Sequence, residues 1–195
     1  MSKHWFITHL IKKFTLNKKL GLDVGIGENN WKEFKKCKMI GIDRKNTNSD
    51  IVVDLEAKLP FQNNVFDIII AINSLNYIVN ARQLLSEINR VLKIGGQLIC
   101  VVDNPNSNNE KNHVWEQMYL DRILQVSGFQ SILYKNFRDF LYSKWYNKTS
   151  VYAFSVVKKI KEIDTVYKSD KRDINKSVKI EFSKSYNLKT THPET

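Results

Sequence analysis

The stretch Leu20-Gly21-Leu22-Asp23-Val24-Gly25-Ile26-Gly27-Glu28-Asn29-Asn30 decides how this chain folds. Its first half is apolar apart from Asp23, which suits a strand covered on both faces. It runs straight into Gly25-Ile26-Gly27. In open α/β sheets, ligands bind beyond the carboxyl ends of the strands, where strand order reverses. A glycine turn after the first strand lies at that crevice. Glycine suits it because a side chain would block approach to the backbone, and because the turn can demand positive φ. A helix after the turn would present free N–H groups to a carboxylate or phosphate. Alone, Gly-x-Gly reads equally as an ordinary tight turn.

The rest of the chain alternates in the same manner. Strands are expected at residues 19–24, 39–43, 51–54, 65–72, 97–102, 129–134 and 151–157. Residues 30–37 read as a helix capped by Asn29 or Asn30. Residues 81–93 carry Leu84, Leu85, Ile88, Val91 and Leu92 at helical spacing, with Gly95-Gly96 as the stop signal. Residues 114–126 form a further amphipathic pattern, ended by Gly128. Residues 59–64 read as a turn. Strands alternating with helices imply a parallel sheet with helices on both faces. The last two strands lack a helical crossover, so the final one reads as antiparallel. The expected fold is α/β, Rossmann-like and doubly wound: a mostly parallel seven-stranded sheet with an antiparallel edge strand.

Composition bounds the rest. The 195 residues, 42% of them hydrophobic, suffice for one domain with a core. No apolar run reaches the roughly 18 residues of a membrane span. The start of the chain imitates a signal peptide, yet His4, His9, Lys12 and Lys13 interrupt it and no small-residue cleavage site follows. Residues 1–18 read as an amphipathic helix that gathers Trp5, Phe6, Leu10 and Phe14 on one broad face. Residues 19–160 form the α/β domain. Residues 161–195 form a basic tail, charged and weakly periodic, and read as disordered. Cys37 and Cys100 are too few for a disulfide framework and read as reduced core thiols of a cytoplasmic protein.

The net charge of +11 invites a nucleic-acid reading, but its placement argues otherwise. Residues 1–20 carry +5 and residues 155–195 carry +4, leaving residues 21–154 at only +2. The excess lies outside the candidate site, so no specific nucleic-acid partner is expected. The basic, aromatic start suits a cover over the site, or peripheral contact with an anionic membrane.

Further candidate site residues follow from spacing. Asp43 closes the second strand, 18 residues after Gly25, where a carboxylate accepts hydrogen bonds from both hydroxyls of a ribose. Arg44 stands beside it. Asp54 closes the third strand and precedes Leu55. Such a pair suits an adenine, the carboxylate taking its amino group and the apolar neighbour packing its ring. His113, ahead of the helix after strand five, is the candidate base, and equally a surface histidine at a helix entry. Asn76 and Tyr77 follow strand four and either shape an acceptor pocket or simply start a helix. No His/Cys cluster has metal-ligand spacing.

Taken in order, these segments resemble the class I S-adenosylmethionine-dependent methyltransferases, specifically the small methyltransferase-11-like ones. The resemblance covers roughly residues 19–159. It rests on Leu22-Asp23-Val24-Gly25-Ile26-Gly27, Ile40-Gly41-Ile42-Asp43, Asp54-Leu55 with Leu59-Pro60-Phe61, Phe66-Asp67-Ile68-Ile69, and the run from Glu87 to Gly96. The Asp-Leu-Glu and Leu-Pro-Phe stretch is loosely similar to methyltransferases of sugar and surface-polysaccharide pathways. The resemblance makes S-adenosylmethionine the expected cofactor. It implies that Asp23, Gly25 and Gly27 hold its methionine end, Asp43 its ribose, Asp54 and Leu55 its adenine, and that Asn73 touches the methionine moiety. Asn29 replaces the family's third glycine, and Asn tolerates the left-handed conformation better than most residues. The acid before the glycines speaks against a nicotinamide protein. The Asn-Pro-Pro-Tyr-type motif of amine-methylating nucleic-acid enzymes is absent after strand four. The expected acceptor is a small molecule, a glycan or a lipid-linked sugar intermediate. The alternatives are an RNA or protein methyltransferase, and a non-catalytic binding module on the same fold.

Overall fold

The computed structural model describes residues 3–45, 48–104, 117–138 and 151–163. Helix α1 (Lys3–Thr15) precedes strands β1 (Leu20–Val24), β2 (Lys38–Asp43), β3 (Ile51–Val52) and β4 (Phe66–Ile72). Helix α2 (Ala81–Val91) leads into β5 (Leu92–Asn104), and α3 (Gln117–Val126) into β6 (Phe129–Arg138) and β7 (Val151–Lys159). The strands form one sheet in the order β3-β2-β1-β4-β5-β7-β6. β1 pairs in parallel with β2 on one side and β4 on the other, so strand order reverses between β1 and β4. That reversal opens a crevice at the carboxyl ends of these two strands.

Antiparallel pairing is confined to the edge region of β5, β7 and β6. β7 is the reversed strand, and it stands one place in from the rim. It inserts between β5 and β6 with Gln97 opposite Lys158 and Asn104 opposite Val151. The outermost strand is β6.

Alternation along the strands divides the core in two. Leu22, Ile69, Ala71, Leu98 and Cys100 face α2 and α3, meeting Leu84, Leu85, Ile88 and Leu124. Ile68, Ile70, Ile99, Val101 and Val156 face the opposite way, onto Phe6, Ile7, Leu10 and Ile11 of α1. β4 therefore reads as an unbroken apolar run because both of its faces are covered. Fully burying one such side chain is worth about 1.5–3 kcal/mol, so α1 holds its face of the sheet as a core element. Its apolar stripe packs on the sheet, while Trp5 stays half exposed. No helix among the described residues is long and apolar enough to cross a membrane.

Three expectations change in detail. The helix expected at 30–37 is only a 3-10 turn, Lys32–Phe34. Lys35 already has extended backbone and β2 opens three residues later. A helix so short is marginal without tertiary support, and Trp31, Phe34 and Cys37 pack, half-buried, against the α1 cluster without it. The 81–93 helix ends at Val91, because Leu92 is extended and pairs with Phe66 as the first residue of β5. Gly95-Gly96 lies within that strand, next to an irregularity in register. The third strand stops at Val52, so Asp54 sits in the turn beyond it.

Two motifs distant in sequence meet at the base of α2. Glu87 is fully buried, accepts from the Leu59 N–H at 2.8 Å and pairs with Arg90 at 2.7 Å. Arg90 also donates to the Leu59 and Phe61 carbonyls. The Leu59-Pro60-Phe61 turn is thus clamped to the helix. Cys37 and Cys100 are both free thiols, and burial pushes Cys100 up to about 12.

Candidate functional site

The parallel register sets Val24 beside Ile42. The N–H groups of Gly25 and Ile26 both donate to the Ile42 carbonyl, at 2.8 and 3.1 Å, folding the glycine turn over the end of β2. Gly25 has φ +71°, and a Cβ there would stand 2.7 Å from Ser74 Oγ. Ser74, two residues past β4, donates its hydroxyl to the Val24 carbonyl. Gly25 is therefore required twice over, by conformation and by the close approach of β4's end. Gly27, at φ +52°, has open space where a Cβ would be, so only its conformation favours glycine.

Around this turn lies a cleft of about 310 Å³, within the ~300–1,000 Å³ usual for small-molecule sites. One wall holds Asp43, whose carboxylate accepts from the Gly27 N–H at 3.0 Å and the Lys45 N–H at 3.2 Å. A carboxylate has about four acceptor positions, so capacity remains for ligand hydroxyls. Asp54 and Leu55 form the neighbouring wall, with Asp54 Oδ1 accepting from the Glu56 N–H at 3.0 Å. Asn73 closes the far side in the left-handed region, φ +58°. Its N–H donates to the Val101 carbonyl at 2.8 Å, while its buried side-chain oxygen has no partner. Tyr77, 60% exposed, and Ile78 form the lip.

Gly25, Gly27, Asp43, Arg44, Asp54, Leu55, Asn73 and Tyr77 thus meet at one cleft. Asp23 and Asn29 stand behind the turn instead, gathered by a lysine. Asp23 pairs with Lys35 at 2.6 Å, and Lys35 also donates to Asn29 Oδ1 at 2.7 Å. Burial pushes the Asp23 carboxyl upward, against the charge and hydrogen bond of Lys35, and Asp43 pushes it further up. Asn76 is buried in the 3-10 turn Leu75–Tyr77. His113 lies outside the described residues. Sequence reasoning missed Ser74, Lys45, Glu56 and Lys35. Ser74 was reachable as the residue after Asn73 at the end of a strand. Lys35 gave no signal, because a lysine in an expected helix reads as solvated surface.

Residues 22–100 match the family profile described as a methyltransferase domain. That match takes in about two fifths of the chain, and the fold is the one class I methyltransferases share. The uncharacterized protein MJ0638 of Methanocaldococcus jannaschii is 31% identical over 110 residues, 54% of this chain and 48% of that protein. The chain thus spans about half the length of this relative. Among solved structures, the cyclase SpnF superposes with a TM-score of 0.65 at 17% identity, covering 80% of each chain. A SAM-dependent methyltransferase from Methanosarcina mazei superposes at 0.62 with 16% identity, over 78% of this chain and 98% of that one. At such identities the superpositions speak for the fold.

The matching profile is that of a methyltransferase domain, which implies S-adenosylmethionine as the cofactor, and the residues of the cleft fit it. The Gly25 cradle would be filled by any Cβ, and the unpartnered Asn73 oxygen is a buried acceptor on a residue that lines the cleft. Asp43 offers a carboxylate to a ribose, and Leu55 an apolar surface beside Asp54 for a purine.

Proposed function

We propose that this chain is a methyltransferase that moves a methyl group from S-adenosylmethionine to a small acceptor, a metabolite or a glycan intermediate. The observation that carries this reading is the convergence of Gly25, Asp43, Asp54, Leu55 and Asn73 on one cleft at the strand-order reversal. When bound, the cofactor supplies a methyl carbon on a positively charged sulfur, already joined to a good leaving group. What remains for the protein is alignment of the two reactants, which contributes much of the acceleration in such displacements. Asp43 and the Asp54–Leu55 wall hold the nucleoside in register. Asn73 and the Gly25 cradle fix the methionine end. The lip formed by Tyr77 and Ile78 is where an acceptor would approach. A base is needed only where the acceptor must lose a proton.

The near-neutral central segment, +2 over residues 21–154, supports a small acceptor over a polyanionic one. Titration calorimetry with S-adenosylmethionine, S-adenosylhomocysteine and NAD tests the cofactor half. The two sulfur compounds should bind and NAD should not; absence of binding at millimolar concentration would sink the proposal. Labelled cofactor mixed with fractionated extract tests the acceptor half. Label appearing in low-molecular-weight or glycan fractions is expected, whereas label in RNA or protein would replace the small acceptor with a macromolecule.

A further inference from the structure

The end of the sheet opposite the cleft gathers charge and apolar surface that the cofactor reading does not use. The parallel strands β1, β2, β4 and β5 begin there. β7 runs the other way and finishes there, with Lys159 opposite Phe129 at the start of β6. Phe66 pairs with Leu92 and Ile68 with Gln97, so Lys93-Ile94-Gly95-Gly96 face Asp67 alone and bulge from the ladder. A cleft of about 350 Å³ is lined by this bulge and by Lys18 and Lys19 at the entry to β1. An added Cβ on Gly95 would stand 3.6 Å from Lys158 Cε, so the stem of Lys158 lies along the bulge. The two basic ends of the chain therefore meet at the bulge. Four aliphatic side chains are half exposed or more at the same end: Leu16 before β1, Ile94 in the bulge, Val126 at the close of α3 and Ile160 just past β7.

We propose that this end of the sheet is a docking surface for an anionic lipid bilayer, its lysines meeting the headgroups and its aliphatic side chains entering the interface. The inference is independent of the cofactor reading. Lys18, Lys19, Lys158 and Lys161 stand outside every ion pair among the described residues. The acids beside them are engaged: Asp67 by Lys93 and the Lys19 and Leu20 N–H groups, Glu162 by Asn64. Singly exposed aliphatic residues are ordinary. Set among unpaired lysines at one end of the molecule, they make a mixed surface on which apolar burial and attraction to anionic lipid add. Nucleic acid fits less well. Its phosphates would answer the lysines, but the exposed large apolar residues here offer no ring on which a base could stack. The apolar stripe of α1 packs on the sheet, so the basic start of the chain reaches lipid at its end and not along its face. Docked in this way, the protein turns the Gly25 cleft toward water, because that cleft lies at the other ends of β1 and β4.

The test is co-sedimentation of the full chain with vesicles of phosphatidylcholine alone and of equimolar phosphatidylcholine and phosphatidylglycerol. Wild type should pellet with the anionic vesicles only, and added salt should weaken this without abolishing it. A lysine near an anionic surface contributes about fivefold. Lys158→Glu should therefore lower the partition coefficient about fivefold or more, and Lys19→Glu with Lys158→Glu roughly 25-fold or more. Ile94→Ser with Ile160→Ser should remove the part that survives high salt. Arg82→Glu, the same reversal in the first turn of α2 at the cleft end, should pellet like wild type. Circular dichroism checks that each variant is folded, and Lys19→Gln with Lys158→Gln carries the comparison should the reversal unfold the chain. Equal pelleting with neutral vesicles, lysine variants that pellet undiminished, or a loss matched by Arg82→Glu would overturn the docking surface. Failure to pellet with anionic vesicles would overturn it too, and an RNA oligonucleotide bound by wild type but not by the double lysine variant would reassign the surface to nucleic acid.

Discussion

Asp43 shows how one carboxylate serves structure and ligand together. Its oxygens fasten Gly27 and Lys45 at the end of β2 and keep acceptor capacity in the cleft that Asp43 lines. Asp43→Ala should weaken S-adenosylhomocysteine binding by roughly ten- to a hundredfold, from the ~1.5–3 kcal/mol of hydrogen bonds to a charged group. Calorimetry on a variant that keeps its circular dichroism checks this; unchanged affinity would reject the ribose role. Asp67 answers a different question. It accepts from the Lys19 and Leu20 N–H groups, both at 3.0 Å, and pairs with Lys93 at 2.8 Å, tying the start of β1 to β4 and β5. Burial works against its charge, but the Lys93 contact and the two N–H groups outweigh it, holding the carboxyl below its ordinary 3.8. A depressed acid stabilises the fold above its unfolded pKa and loses that contribution as pH falls through its folded value. Urea midpoints should therefore drop below pH 3.8, and Asp67→Asn should lower the midpoint at pH 7 while flattening the acid-side loss. Equal acid sensitivity in the variant would refute the assignment.

At the scale of the element, α1 is a core helix where a cover or a membrane-facing segment was expected. Phe6, Ile7, Leu10 and Ile11 sit at positions that form one stripe, and Ile68, Ile70, Ile99 and Val101 receive it. With the first crossover reduced to a 3-10 turn, α1 is the long helix on that face among the described residues. Ile11 is fully buried. Ile11→Ala should cost about 2–5 kcal/mol, the range for large-to-small core changes. Denaturant unfolding followed by circular dichroism measures it. A loss well under 1 kcal/mol would mean that the helix rests only lightly on the sheet. Removal of residues 1–15 is accordingly expected to unfold the domain; a folded, cofactor-binding truncation would restore the covering role.

For the whole molecule, charge and site are separated along the chain. The ends carry +5 and +4 while the segment holding the cleft carries +2. Binding to nucleic acid should therefore be electrostatic and sequence-independent, weakening steeply between about 50 and 200 mM salt. Fluorescence anisotropy with two unrelated RNA oligonucleotides across that range tests it. Tight binding to one sequence that survives at high salt would overturn the small-acceptor reading.

The sequence by itself determined the parallel half of the sheet, since an apolar run covered on both faces, a glycine turn and strand-closing acids follow from period and backbone sterics alone. Gly25 and Asp43 were legible for that reason, standing at or just past strand ends that converge at the reversal, whereas Asn73 came only from the family resemblance. Tertiary structure alone decided what depended on contacts between distant residues. β7 lies inside β6 because pairing across the sheet, not local pattern, sets strand order. Residues 30–37 gave up a helix because Trp31 and Phe34 found their packing against α1. Lys35 turned inward because Asp23, twelve positions away, is a buried charge that water cannot reach. A side chain's neighbours across such distances are fixed by packing, which no local spacing encodes.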